Sequence, residues 1–352
     1  MRPFMLFFNK PIFSAIAAIV FLPLTLIYGI AISLRYLMYK YDLIKSFRPD
    51  IFSISVGNIT VGGTGKTPVV IDLAGELSNA GFSPAVVTRG YGRKSTSRIK
   101  VTGETPVKIS GDEPAEIFKK TGCTVLCDKD RTSAIRSITG QNDLVILDDA
   151  FQHLKVIANL NIVMIDERRF WGNKLLVPSG ILRDRVSRLA SADVIILSKV
   201  RDVRSSETIA KISKLKKYCN TILISSVRSS KITNYNEEYC PEWLNGKKIG
   251  LFCGIGSPDD FFELFEDFNI VKKLSFPDHY EYNDPDLILK AFGDVCDILI
   301  TTCKDFVKLS PEIILKHSIY CLETDNTYYN VSFEEKTLCE HLKPFLPLRE
   351  RT

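Results

Sequence analysis

The chain has 352 residues and a formal net charge of +5, with 45% hydrophobic and 25% charged residues. These are the values of an ordinary globular protein, so bulk disorder is excluded, and at roughly 100–200 residues per domain two domains are expected. The charge is too small for a nucleic-acid binder and fits a modest preference for anionic surfaces.

Pro11 to Leu34 carries no charged residue, which is long enough to cross a hydrocarbon core about 30 Å thick. Arg2 and Lys10 precede this run; Arg35, Lys40, Lys45 and Arg48 follow it. It is longer than the core of a signal peptide. Residues 1–45 are therefore expected to anchor the chain to a membrane, with the larger downstream positive count keeping the body cytoplasmic. Pro23 and Gly29 interrupt the run, so a bent segment lying within one leaflet is an open alternative.

From residue 50 short β-rich runs alternate with amphipathic stretches. Strands are expected over 51–58, 84–90, 123–127, 143–149 and 161–166, with helices over 67–80, 111–120 and 130–138. This alternation predicts a P-loop-type, mainly parallel α/β sheet with flanking helices over 46–167. The stretch 168–190, rich in Gly, Pro and Arg, is expected to connect domains. Residues 191–352 then read as a second, smaller α/β domain contributing to the cleft, with strands over 192–200, 221–227, 247–256, 297–302 and 318–322 and a serine-capped helix over 257–268.

"VGNITVGGTGKTP" (56–68) ends as a phosphate-binding loop ends, but Thr60 stands where the first glycine of G-x-x-x-x-G-K-[ST] belongs. The expected nucleotide-binding residues are Thr60, Val61, Gly62, Gly63, Thr64, Gly65, Lys66 and Thr67. The glycines allow close backbone approach to phosphate, Lys66 neutralises β- and γ-phosphate charge, and Thr67 ligates Mg²⁺. Gly57-Asn58 is expected to make the turn that the missing glycine usually makes. "DLVILDD" ends in Asp148 and Asp149, one of which should hold Mg²⁺.

Nine irregularly spaced cysteines, mostly in apolar runs, read as buried free thiols of a reducing compartment. Cys123 and Cys127 lack the second pair or the histidine that a zinc site needs.

"SVGNITVGGTGKTP", "TRGYGR", "GDEP", "ILDDAFQH", "PSGILRD" and "FPDHYEY", in this order behind an apolar N-terminus, closely resemble the tetraacyldisaccharide 4'-kinase family. The resemblance implies transfer of the ATP γ-phosphate to the 4'-hydroxyl of a tetraacyldisaccharide 1-phosphate, at the cytoplasmic face of a bacterial inner membrane. From the sequence alone Asp112 reads as a helix cap; the resemblance makes it the base, working with His279. Glu113 would assist Mg²⁺, and Arg183 would stabilise phosphate charge. Arg89 and Arg93 would hold a phosphate and Tyr91 would pack on sugar; a solvated basic turn is the other reading of that stretch. His153 could reach the nucleotide end, although a lone histidine more often is structural; His317 and His341 read as structural or exposed, and Lys304-Asp305 as a helix cap. The implied cofactors are ATP and Mg²⁺, and the implied partner is an acylated lipid in the membrane, with no nucleic acid and no obligate protein. A membrane-associated ATPase or a nucleotide switch acting on a protein is the alternative.

Overall fold

The computed structural model describes residues 18–90, 93, 97–278, 280–282, 284 and 291–347, without the side chains of Lys108 and Asp294. Tyr91 and His279 lie outside the described residues. The chain divides into two compact units, Met1–Ser226 with Thr327–Thr352, and Val227–Asn326.

In the first unit the chain turns at Phe21, and helix α1 (Leu22–Lys40) starts with Pro23 in its first turn, where a missing N–H costs little. The helix then runs unbroken through Gly29. Next come β1 (Phe52–Asn58), α2 (Lys66–Asn79), β2 (Pro84–Thr88), β3 (Ile99–Lys100), α3 (Asp112–Thr121), β4 (Thr124–Cys127), α4 (Arg131–Ile138), β5 (Leu144–Asp148) and β6 (Leu160–Asp166). They are followed by β7 (Val194–Ser198), α5 (Ser206–Leu215) and β8 (Thr221–Thr233), whose residues from Val227 on belong to the second unit. The strands lie in the order β8-β7-β6-β1-β5-β2-β4-β3. All are parallel except the short β3. Because β5 is the direct neighbour of β1, Asp148 lies opposite Val56.

Alternation along the strands sorts the core into two faces. Ile54 and Val56 of β1 pack with Val69, Val70, Leu73 and Leu77 of α2. On the opposite face, Val163, Ile165, Ile195 and Leu197 pack with Phe170, Trp171, Leu182 and Leu189. The stretch 168–190 is thus core of the first unit, and the chain divides at Ser226/Val227 and Asn326/Thr327 instead. Its Gly and Pro content suggested a linker, but its apolar residues face β6 and β7.

The second unit holds β9 (Glu238–Tyr239), β10 (Ile249–Cys253), β11 (Ile270–Ser275), β12 (Ile298–Thr302) and most of β13 (Ile319–Tyr329). β11, β10, β12 and β13 pair in that order, all parallel. The expected helix over 257–268 is an α-helical turn, Pro258–Phe262, continued by a 3₁₀ turn, Glu263–Phe265. Asp305 is structural: Thr302 caps the short helix there, its Oγ1 accepting from the Asp305 N–H (3.3 Å), and the fully buried Asp305 carboxylate accepts from Thr302 Oγ1 (2.7 Å) and from the Gly254 N–H (2.9 Å). Cys303 and Cys321 are joined as a disulfide, with Cα atoms 5.4 Å apart, so the expectation of free thiols throughout fails at this pair. Cys123 and Cys127 are free and buried, and no cluster of three metal-ligating side chains occurs among the described residues.

Candidate active site

β1 ends at Asn58, and the chain crosses residues 59–65 before α2 begins at Lys66. The exit from the strand is made by pairing. Thr60, buried, forms an antiparallel bridge with Leu182. The Val61 N–H donates to Ile181 O and the Arg183 N–H to Ile59 O, both at 2.8 Å. Thr60 keeps a negative φ, so no glycine is needed there. Gly57 is inside β1 and makes no turn; a Cβ on it would lie 2.5 Å from Phe151 Cβ and 2.8 Å from Phe151 N. The expected turn at Gly57-Asn58 is therefore corrected.

The loop itself does need glycine, since Gly62 and Gly65 have φ of 99° and 79°. The carbonyls of Gly63 and Thr64 are held from β7 and the residue after it: Lys199 Nζ donates to Gly63 O (2.7 Å), and Ser198 Oγ to Thr64 O (2.9 Å). Lys199 is also paired with Asp166 at the end of β6 (3.1 Å). Asn58 Nδ2 donates to Thr64 Oγ1 (3.1 Å). The first N–H groups of α2 have no intrahelical acceptor, as at any helix start, and here they follow a glycine loop. Lys66 is mostly buried, and Thr67 is buried in the first turn of α2.

Asp148 and Asp149 are adjacent, yet their surroundings differ. Asp149 has a left-handed backbone (φ 49°). Its carboxylate accepts both terminal nitrogens of Arg183 and lies 3.5 Å from Lys66 Nζ. Burial pushes its pKa up, but the Arg183 hydrogen bond and the charges of Lys66, Arg183 and Arg131 outweigh this and hold it well below the carboxylate range. Asp148 is buried, its Oδ2 accepts from Thr88 Oγ1 (3.1 Å), and its Oδ1 has no partner among the described residues. Burial, with the nearby charge of Glu113 and Asp149, raises it to about 6 against the pull of Lys66. Arg131, which the motifs did not single out, donates through Nη2 to the backbone oxygens of both aspartates (2.7 and 3.0 Å).

Arg183 also donates through Nε and Nη2 to Asn58 O, each at 3.2 Å. It thereby ties the end of β1 to the end of β5. Asp112 and Glu113, both half-buried, open α3 directly after Gly111, whose φ is 93°. Arg89 is exposed at the end of β2. Arg93 is turned to the protein: its Nη1 donates to Ser97 O (2.8 Å) and Cys127 O (2.9 Å). The expected phosphate-holding role of Arg93 is thus set against a bracing one. His153 lines a cavity of about 140 Å³ with Phe151, Leu154 and Arg188. Burial, then the charge of Arg131, lowers its pKa to about 4, so it is neutral at pH 7.

A strand–loop–helix ending in Gly65-Lys66-Thr67, beside a neighbouring strand that ends in two aspartates, defines a P-loop protein with a mainly parallel α/β sheet. The family model for tetraacyldisaccharide-1-P 4'-kinase matches residues 17–343, and the chain belongs to that family. Similar curated proteins include the tetraacyldisaccharide 4'-kinase of Syntrophus aciditrophicus (strain SB), 35% identical over 82% of this chain and 83% of the relative. That of Flavobacterium johnsoniae is 32% identical over 88% of this chain and 92% of the relative. A crystal structure of LpxK from Aquifex aeolicus in complex with ATP has the same fold, with a TM-score of 0.72 at 24% identity, covering 93% of this chain and 98% of that one.

Proposed function

We propose that this chain transfers the γ-phosphate of ATP to the 4'-hydroxyl of a tetraacyldisaccharide 1-phosphate, giving lipid IVA at the cytoplasmic face of the inner membrane. The observation that carries the reading is the division of labour between Asp149 and Asp148 beside the loop lysine. Asp149 holds Lys66 and Arg183 in place, and Asp148 presents a buried carboxylate oxygen that has no partner among the described residues.

That orphaned oxygen is the condition a cation relieves. Asp148, with Thr67 and with Glu113 nearby, fits Mg²⁺, which binds through one or two carboxylates and substrate phosphates and keeps several waters. Asp149, already committed to two cations, is assigned to positioning instead of to the metal. When bound, the ion would neutralise charge on the β- and γ-phosphates. Lys66 does the same from the loop, and Arg183, held by Asp149 and Asn58 O, would stabilise phosphate charge. Asp112 takes the proton of the acceptor hydroxyl, partnered by His279, a pairing that rests on the motifs. Arg89, exposed, meets the acceptor's 1-phosphate; Tyr91 packs on its sugar.

Among the described residues, α1 alone is long and apolar enough to cross a bilayer, and it is largely exposed. Thr25, Tyr28, Gly29 and Tyr36 lie on one of its faces and contact residues 176–188 of the body. A helix docked in this way supports an anchor lying in the membrane surface rather than spanning it.

Purified protein in lipid, given labelled ATP and the disaccharide 1-phosphate, should produce a doubly phosphorylated lipid. Release of inorganic phosphate with no labelled lipid would overturn the kinase reading in favour of an ATPase.

A further inference from the structure

The segment 176–185 lies between α1 and the root of the phosphate loop. On the loop side, Leu182 bridges Thr60, Ile181 O accepts from Val61, and the Arg183 N–H donates to Ile59 O. On the helix side, Thr25 Oγ1 donates to Ser179 Oγ (2.8 Å) and accepts from the Ser179 N–H (3.0 Å). Arg185 Nη2 donates to Gly29 O (3.2 Å). Gly29 is close-packed, since a Cβ there would lie 3.2 Å from Leu176 Cδ1. Tyr28 OH donates to the backbone oxygen of Arg183 (2.8 Å).

Arg183 is therefore fixed at both ends of its backbone: its N–H by the loop root and its C=O by the anchor helix. Its guanidinium meanwhile grips Asp149, which faces Lys66. The rest of α1 is exposed and apolar, with Leu24, Leu26, Ile27, Ile30 and Leu34 each more than half exposed. Such a face is settled only when it is buried in lipid or an equivalent apolar phase.

We propose that Tyr28 is a positioning residue for phosphate transfer. By fixing the Arg183 carbonyl, it couples the seating of the apolar helix in lipid to the placement of the Arg183 guanidinium beside Asp149. The enzyme is then more active on an acceptor presented in a bilayer because the surface that presents the acceptor also sets the arginine. The inference rests on the proposed role of Arg183 in the transfer.

The test is a double-mutant cycle of Tyr28→Phe and Arg183→Lys in vesicles containing the acceptor. Tyr28→Phe keeps the ring and removes one neutral hydrogen bond, so kcat should fall about fivefold, while ATP affinity and co-sedimentation with vesicles stay at the wild-type level. In the Arg183→Lys background the same change should have little further effect, because Tyr28 acts through the residue already altered. A wild-type kcat for Tyr28→Phe overturns the proposal. So does an equal fractional loss in both backgrounds, which would make Tyr28 a support of the fold independent of Arg183. If Tyr28→Phe also weakens vesicle binding, turnover at saturating acceptor in detergent micelles decides: a persisting loss supports the coupling and full recovery overturns it. Failure of the functional reading gives a different result, since Arg183→Lys alone would then leave transfer unchanged.

Discussion

The phosphate loop, residues 62–67, and its root, residues 57–61, solve different problems. In the loop the backbone conformation is the device: Gly62 and Gly65 adopt left-handed φ values that other residues resist. At the root the device is tertiary: Thr60 pairs with Leu182, and Gly57 is needed only because Phe151 presses against it. A phosphate loop thus needs glycine where its own backbone turns left-handed. Where it leaves the strand, it needs only something to lean on.

The largest test falls on the loop's charge. Lys66→Met should lower phosphate transfer by about 10²–10³-fold, the scale of losing one preorganised charge from the transition state. It also removes a partner of Asp149, so a stability measurement must show the variant folded. A loss of less than tenfold would break the assignment of this loop to the phosphates.

Two glycine substitutions then separate packing from phosphate contact. Gly57→Ala places a methyl group on Phe151 backbone that cannot yield, so the fold should lose roughly 2–3 kcal/mol in denaturant unfolding. Gly63→Ala meets nothing within 4 Å among the described residues and should leave unfolding unchanged. If the two variants unfold alike, the close approach at Gly57 is not what limits that position.

The end of β5 shows the same contrast one strand away, between a residue held by partners and one left open. Asp148 is raised from 3.8 to about 6. The folded chain therefore binds more protons than the unfolded one between those values, and the metal-free protein should lose stability as pH rises through that window. Asp149 is held low, so it contributes stability that is full above the ordinary carboxylate range and is lost progressively as pH falls through and below it. If Asp148 takes the cation, the proton competes, and with its carboxyl near 6 the Mg²⁺ needed for half-maximal transfer should rise about fivefold between pH 6 and pH 5. Asp148→Asn should abolish that dependence; a dependence that survives belongs to another group.

Much of this arrangement was legible because it is local. The β-rich runs Phe52–Asn58 and Leu144–Asp148 are strands, and Gly65-Lys66-Thr67 opens a helix as its composition demands. What escaped depends on residues distant in the chain. Ser198 and Lys199 hold the loop carbonyls from 134 and 136 residues away, and no spacing rule points to them. The segment 168–190 looked like a linker because its Gly and Pro mark turns, yet the turns present Phe170, Trp171 and Leu182 to the core. The bracing bonds of Arg93 have the same origin, since the carbonyls of Ser97 and Cys127 receive its Nη1.

The smallest expected effect is the one that tests the comparison most directly. Thr60→Gly restores the usual first glycine of the loop. If that glycine were missing for want of a turn, the substitution would improve ATP binding. Here the turn does not exist: Thr60 keeps a negative φ and its backbone is bridged to Leu182. Glycine at this position gains no conformation it can use, exposes the unfolded chain to more backbone freedom, and leaves a small void where a buried side chain was. The expected result is a stability loss of about 1 kcal/mol, with ATP affinity within twofold of wild type. An affinity gain of tenfold would mean that the root of the loop is strained by Thr60 and that the Leu182 bridge only compensates for it. A loss confined to stability would mean that pairing alone shapes the exit from β1.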